Sequence, residues 1–198
     1  MLAPPARTHF LVAQLIMGLV VSAATDPVGC ADHTWPFART PEVQQSLADY
    51  KAWCAARGVS MSDDIVHSIS WDGDVGFEPS WAPYNLENEI EHWVLWHHPN
   101  AVPGDAELVP DAEKSILAKV MRKNDTVLPA DDRLLIFQNV PSRRSLPTIA
   151  HSHVFFRPRQ GSQFQRTLST LRAQWESRAL QRRRALGWIE SGSPQHSM

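Results

Sequence analysis

The chain has 198 residues, 43% hydrophobic and 20% charged, with a formal net charge of -2. That is room for one medium domain with extensions, and it provides no global positive field directed at nucleic acid. Two cysteines, Cys30 and Cys54, make no disulfide framework, and no CxxC pair offers a zinc site; a single disulfide between them stays open.

His9–Ala24 is mostly apolar and follows Arg7. It is short for a membrane span, which needs roughly 20 residues. It resembles a secretory h-region, with small residues before Ala24. The other reading is a buried helix, because Leu11, Leu15, Leu19 and Ser22 recur near helical spacing. Residues 1–34 are therefore expected to be a signal-like or unstructured extension, and 35–188 a single domain.

The stretch 38–58 predicts a helix. Thr40 suits the N-cap, Pro41 the first turn and Glu42 the positive helix end. Val43, Leu47, Tyr50 and Cys54 share one face, and Gly58 suits the stop. Residues 59–89 are rich in Gly, Pro and Asp and predict an ordered loop, its aromatic rings near Pro79 and Pro83. Residues 89–99 predict a strand. Ile90, His92, Val94 and Trp96 share one face, and Glu91, Trp93, Leu95 and His97 the other. From Pro110 a helix follows, with Ile116, Leu117 and Val120 inward. Residues 132–140 and 149–158 predict two strands, paired antiparallel across a short turn. A long amphipathic helix spans 162–188 on Phe164, Leu168, Leu171, Trp175 and Leu180, and 189–198 is expected to be a flexible tail. The element order suggests an α+β domain: a small, mainly antiparallel sheet with flanking helices, placed on one side.

Strand alternation puts His151 and His153 on one face, about 7 Å apart. An imidazole near pKa ~6.5 can be base, acid, nucleophile or metal ligand at neutral pH. Three readings compete. The pair decorates an exposed strand face. Or it chelates a metal, with His92 or the pair His97–His98 as third ligand and Glu89 or Glu91 beside them. Or it performs chemistry at a phosphorus centre, where imidazole, hydrogen-bond donors and positive charge are all needed. Asn139 and Ser145 supply donors for that reading, and Arg143, Arg144 and Arg157 supply charge.

Residues 134–156, with a strand ending at Asn139, a turn holding Ser145 and then His151-Ser152-His153, resemble the tail of the histidine-triad fold. That resemblance implies His153 as nucleophile, His151 as its orienting partner, and Asn139 and Ser145 as phosphate donors. Phe155 stands where the fold's third histidine would be, and Ser152 where a large apolar residue would be.

A second resemblance covers more of the chain. Arg39-Thr40-Pro41-Glu42, Tyr50 and Trp53 lead it. Trp81-Ala82-Pro83-Tyr84, Ile90-Glu91-His92-Trp93-Val94-Leu95-Trp96, Phe137-Gln138-Asn139, Ser145-Leu146 and His151–Arg157 follow in order. This series is similar to the domain-of-unknown-function family typified by the fungal N-acetylglucosamine-induced proteins. Ala82 is an insertion into its W-P-Y motif. The resemblance implies a soluble, cytoplasmic protein without a membrane span, against the signal-like N-terminus. It implies no established reaction, and it groups His92 with His151 and His153.

The expected site is thus His92, Asn139, His151 and His153, with Ser145 as donor and with Arg157 and Trp96 at its border. The expected ligand is a small anion: a phosphate ester or nucleotide sugar turned over by the paired histidines. A metal-dependent three-histidine enzyme and a non-catalytic anion binder stand as alternatives. The sequence names no cofactor and no oligomeric state.

Overall fold

The computed structural model describes residues 38–130, 133–140 and 144–186. The signal-like stretch, Cys30, Arg143 and the 189–198 tail lie outside the described residues. Helix α1 (Pro41–Ala56) begins where Thr40 Oγ1 accepts from the Val43 N–H at 3.4 Å. It ends before Gly58, whose φ of 63° suits the turn that follows a helix. Tyr50 and Cys54 are its buried residues.

The segment 59–89 is more regular than its composition predicts. It holds helix α2 (Met61–Ser68) and strands β1 (Trp71–Asp72) and β2 (Val75–Pro79). Ser60 caps α2, with Oγ accepting from the Asp63 N–H. Asp63 and Asp64 favour its positive end. Eight residues are too few to display a helical period, so only the cap signal was present. The β1–β2 hairpin turns at Gly73, whose φ of 64° a side chain would resist.

Strand β3 (Glu91–His97), helix α3 (Pro110–Lys123), strands β4 (Leu134–Phe137) and β5 (His151–Phe156) and helix α4 (Gln163–Ala185) complete the fold. The five strands form one antiparallel sheet in the order β1-β2-β3-β5-β4. The architecture is α+β, as expected.

The helices cover both faces, which corrects the one-sided expectation. On one face Trp93 and Leu95 of β3 and Val154 and Phe156 of β5 pack with Leu117 and Met121 of α3 and Phe164 and Leu168 of α4. On the other, Val94 and Trp96 pack with Tyr50 and Cys54 of α1 and Ile65 of α2. The cause is in the strands themselves. Each alternating set of β3 carries two large apolar residues, Val94 and Trp96 on one side and Trp93 and Leu95 on the other, and each pair must leave water. Full burial of a Leu or Phe side chain contributes about 1.5–3 kcal/mol, and Leu95, Phe155 and Phe156 are fully buried. Helix α4 starts on the first face. Its second half reaches the other, where Arg178 bonds Glu78 and Arg182 bonds Asp64 of α2. No described helix is long and apolar enough to cross a membrane.

Candidate functional site

Strand β5 lies between β3 and β4, so its odd-numbered side chains meet residues from both neighbours. Val94 and Phe137 stand opposite His153, and Trp96 opposite His151. His92 stands opposite Phe155 and is the diagonal neighbour of His153. These side chains lie on the α1–α2 face. They are not an exposed decoration: His92 is 5% exposed, His151 4% and His153 5%. That overturns the exposed-face reading. The residues ahead of β3 and around α1 cover the strand end, and the tyrosine at 84 stacks flat on His92 at 5.0 Å between ring centres.

The polar atoms form a directed chain. The Tyr84 N–H donates to His92 Nδ1 at 3.3 Å. A nitrogen that accepts carries no proton, so neutral His92 holds its proton on Nε2. His92 Nε2 lies 3.0 Å from His153 Nδ1 and donates to it. His153 therefore carries its proton on Nε2, which faces the Asn139 amide at 2.9 Å. That amide must present its oxygen there. With Nδ2 in that place two donors would meet. Turned over, Oδ1 accepts from His153 Nε2–H and from the Tyr84 hydroxyl, 3.2 Å away.

Burial keeps these rings neutral. It pushes His92 down to about 3, with the positive charge of Arg39 and the neighbouring His151 adding to the effect. His153 is held well below 6.5, first by burial, then by His92, His151 and Arg39. His151 is also lowered by burial; its bond to the Ile149 carbonyl opposes this, and Arg144 and His97 add to it.

His151 is bonded differently. Its Nδ1–H donates to the Ile149 carbonyl at 2.7 Å, so Nε2 carries the lone pair. None of the hydrogen bonds among the described residues reaches that Nε2. His151 and His153 line a small cavity of about 30 Å³ with Arg39, Ser145, Trp96 and Ser80. This is room for a water or the end of a small polar group. Arg39 donates through Nε to the Ala82 carbonyl at 3.0 Å and lies over the Tyr84 ring at 4.8 Å.

The expected residues divide. His92, Asn139, His151 and His153 come together, and Trp96 lies beside His151 at 5.0 Å between ring centres. Ser145 lines the cavity. Arg157 does not; it pairs with Glu87. Arg144 binds the Asn139 and Gly104 carbonyls at 3.0 and 2.9 Å and so clamps two loops. The other metal-ligand candidates scatter. His97 pairs with Glu113 at 3.0 Å, His98 stacks edge-on against Trp71, and Glu91 takes Trp93 and Arg172. Among the described residues, no three His, Cys, Asp or Glu are grouped as a metal ion needs. His92, His151 and His153 are neighbours, but His92 and His153 spend their nitrogens on one another, the Tyr84 N–H and the Asn139 amide, and His151 Nδ1 is held by the Ile149 carbonyl. Arg39 and Tyr84 were missed as site residues. Both stand in the quoted motifs, but no local pattern says that they will cover β3.

Among curated proteins none matches the chain. A solved structure described as "Crystal Structure of HTC1" is similar with a TM-score of 0.47 and 18% identity, over 70% of this chain and 87% of that one. Residues 32–157 match the family described as "Protein of unknown function (DUF3605)". That span is more than half of the chain and takes in the whole histidine chain and its cavity wall, and by it the protein belongs to the DUF3605 family.

Proposed function

We propose that the protein binds a small anionic group, the phosphoryl end of an ester, in the cavity beside His151 and hydrolyses or transfers it. The carrying observation is that His151, buried and with its pKa lowered, has no partner at Nε2 among the described residues and lines a cavity that Arg39 also lines. A base must hold a lone pair at working pH and point it at the proton that it takes. Depression of its pKa keeps His151 in that form at neutral pH, and the Ile149 carbonyl fixes the tautomer. Arg39 supplies charge for phosphate oxygens and Ser145 a hydroxyl.

The two nitrogens of His153 are taken by His92 and Asn139. This supports His151 as the reacting imidazole, in place of the sequence-based choice of His153. His153, His92 and Asn139 then act as positioning residues. In hydrolysis His151 Nε2 takes a proton from water as its oxygen bonds phosphorus. The bond to the leaving oxygen breaks, and the imidazolium returns the proton to that oxygen. The strand–Asn–turn–His-x-His order shared with the histidine-triad fold supports phosphorus chemistry. The motif series shared with the fungal N-acetylglucosamine-induced proteins keeps a nucleotide sugar among the candidate esters.

Titration calorimetry with inorganic phosphate and a 4-nitrophenyl phosphate assay test this reading. Phosphate is expected to bind, and Arg39→Gln to abolish the binding. His151→Gln is expected to keep binding and lose turnover. No phosphate binding by the unaltered chain sinks the proposal. Binding without turnover leaves the non-catalytic anion binder.

A further inference from the structure

A second cavity, a groove of about 290 Å³, lies between α2, the second half of α4 and the strand face that carries Trp96. Three indoles line it: Trp81, Trp96 and Trp175. Two of them are engaged by other rings. Trp81 meets Tyr50 edge-on at 5.2 Å, and Trp96 meets His151 at 5.0 Å. Trp175 takes part in no ring contact, hydrogen bond or ion pair among the described residues. A half-buried indole on a helix is a large apolar plate with a polar N–H, and such a plate usually finds a partner. Here its surroundings are the groove.

The groove wall carries matched charge. Arg178 bonds Glu78 at 3.2 Å and Arg182 bonds Asp64 at 2.7 Å. Arg183 also lines the groove. Trp81 and Trp96 line the His151 cavity as well. The two spaces therefore share a wall on one face of the sheet.

From the shared wall and the unpartnered indole we infer that the groove holds the planar aromatic body of the ligand whose anionic group lies at Arg39 and His151. The inference rests on the anion site proposed above. It names the substrate class as an aryl or heteroaryl phosphate ester. Three indoles around a half-open space favour a flat ring, which gains stacking as well as buried area. An aliphatic chain would gain the area alone.

Calorimetry on the full chain with 1-naphthyl phosphate, 1-naphthol and inorganic phosphate tests it. The joined probe is expected to bind tighter than either fragment. Trp175→Ala is expected to weaken both aromatic probes by about tenfold, the scale of one lost stacking contact, and to leave phosphate unchanged. Ala179→Trp fills the groove from α4 without removing a core side chain and is expected to act alike. Aromatic binding untouched by both variants overturns the inference. So does phosphate binding with no aromatic binding, which leaves the anion site standing. Aromatic binding lost in both variants, with no phosphate binding, upholds the groove and overturns the anion site.

Discussion

His92 Nε2 lies 3.0 Å from His153 Nδ1 across 61 residues of chain, and the Tyr84 N–H on the far side of His92 decides which of the two donates. The result is a buried line of neutral imidazoles whose proton positions follow from one backbone donor. Nitrogen-15 NMR at pH 7 is expected to show His92 and His153 as Nε2–H tautomers and His151 as the Nδ1–H tautomer. A Nδ1–H signal from His153 would contradict the directed chain.

Acid should destabilise the fold before the carboxylates titrate. His92, His151 and His153 all have folded pKa values below their unfolded value of about 6.5. The unfolded chain then binds more protons, so stability is complete above about 6.5 and falls as the pH drops. For His92 the window runs down to about 3. Each such group approaches a loss of about 1.4 kcal/mol per pH unit. Urea unfolding between pH 7.5 and 5.5 measures it; an unchanged unfolding free energy would refute the neutral, buried state.

The asparagine at the end of the chain can be probed from both sides. Tyr84→Phe removes one hydroxyl from the Asn139 amide and should cost about 1 kcal/mol. Asn139→Leu strands the His153 Nε2–H and should cost about 1–3 kcal/mol. Chemical denaturation of the two variants gives both numbers. Asn139→Leu as mild as Tyr84→Phe would mean that the imidazole has another acceptor.

Gly104 permits a close approach of two loops. A Cβ there would lie 2.3 Å from the Thr148 carbonyl carbon and 2.4 Å from the Pro147 oxygen, both backbone atoms. Gly104→Ala should therefore cost about 1–3 kcal/mol. It should also raise amide hydrogen exchange around 144–149, because Arg144 ties that segment to the Gly104 carbonyl. An alanine variant with unchanged melting temperature and exchange would show that the loops move apart freely.

The partly buried cluster joining α1, α2 and α4 is another point of leverage. Tyr50 Oη donates to Asp64 Oδ2, and Arg182 donates to Asp64 Oδ1 at 2.7 Å and to the Asp64 carbonyl at 3.0 Å. Asp64→Ala removes the acceptor for two donors and should cost about 2–3 kcal/mol, more than Tyr50→Phe at about 1 kcal/mol. Thermal unfolding of both variants tests the order.

Local chemistry made much of this protein legible. Thr40 and Pro41 start α1, alternation through Trp93–Trp96 defines both faces of β3, and His151 and His153 share a side. These features depend on caps and on a side-chain period of two, which a short stretch of chain fixes by itself. Helix α2 and the β1–β2 hairpin escaped because they are too short to show a period. The helices on both faces, the burial of the histidines and the cover from Tyr84 and Arg39 were decided by the tertiary structure. So was the division of labour between the paired histidines. Alternation treats His151 and His153 as equivalent, but register puts His92 and Asn139 on one ring and gives the other, in the wall of a cavity, only the Ile149 carbonyl among the described residues. Which nitrogen finds a partner depends on strands and loops distant in sequence, and no local pattern carries that information.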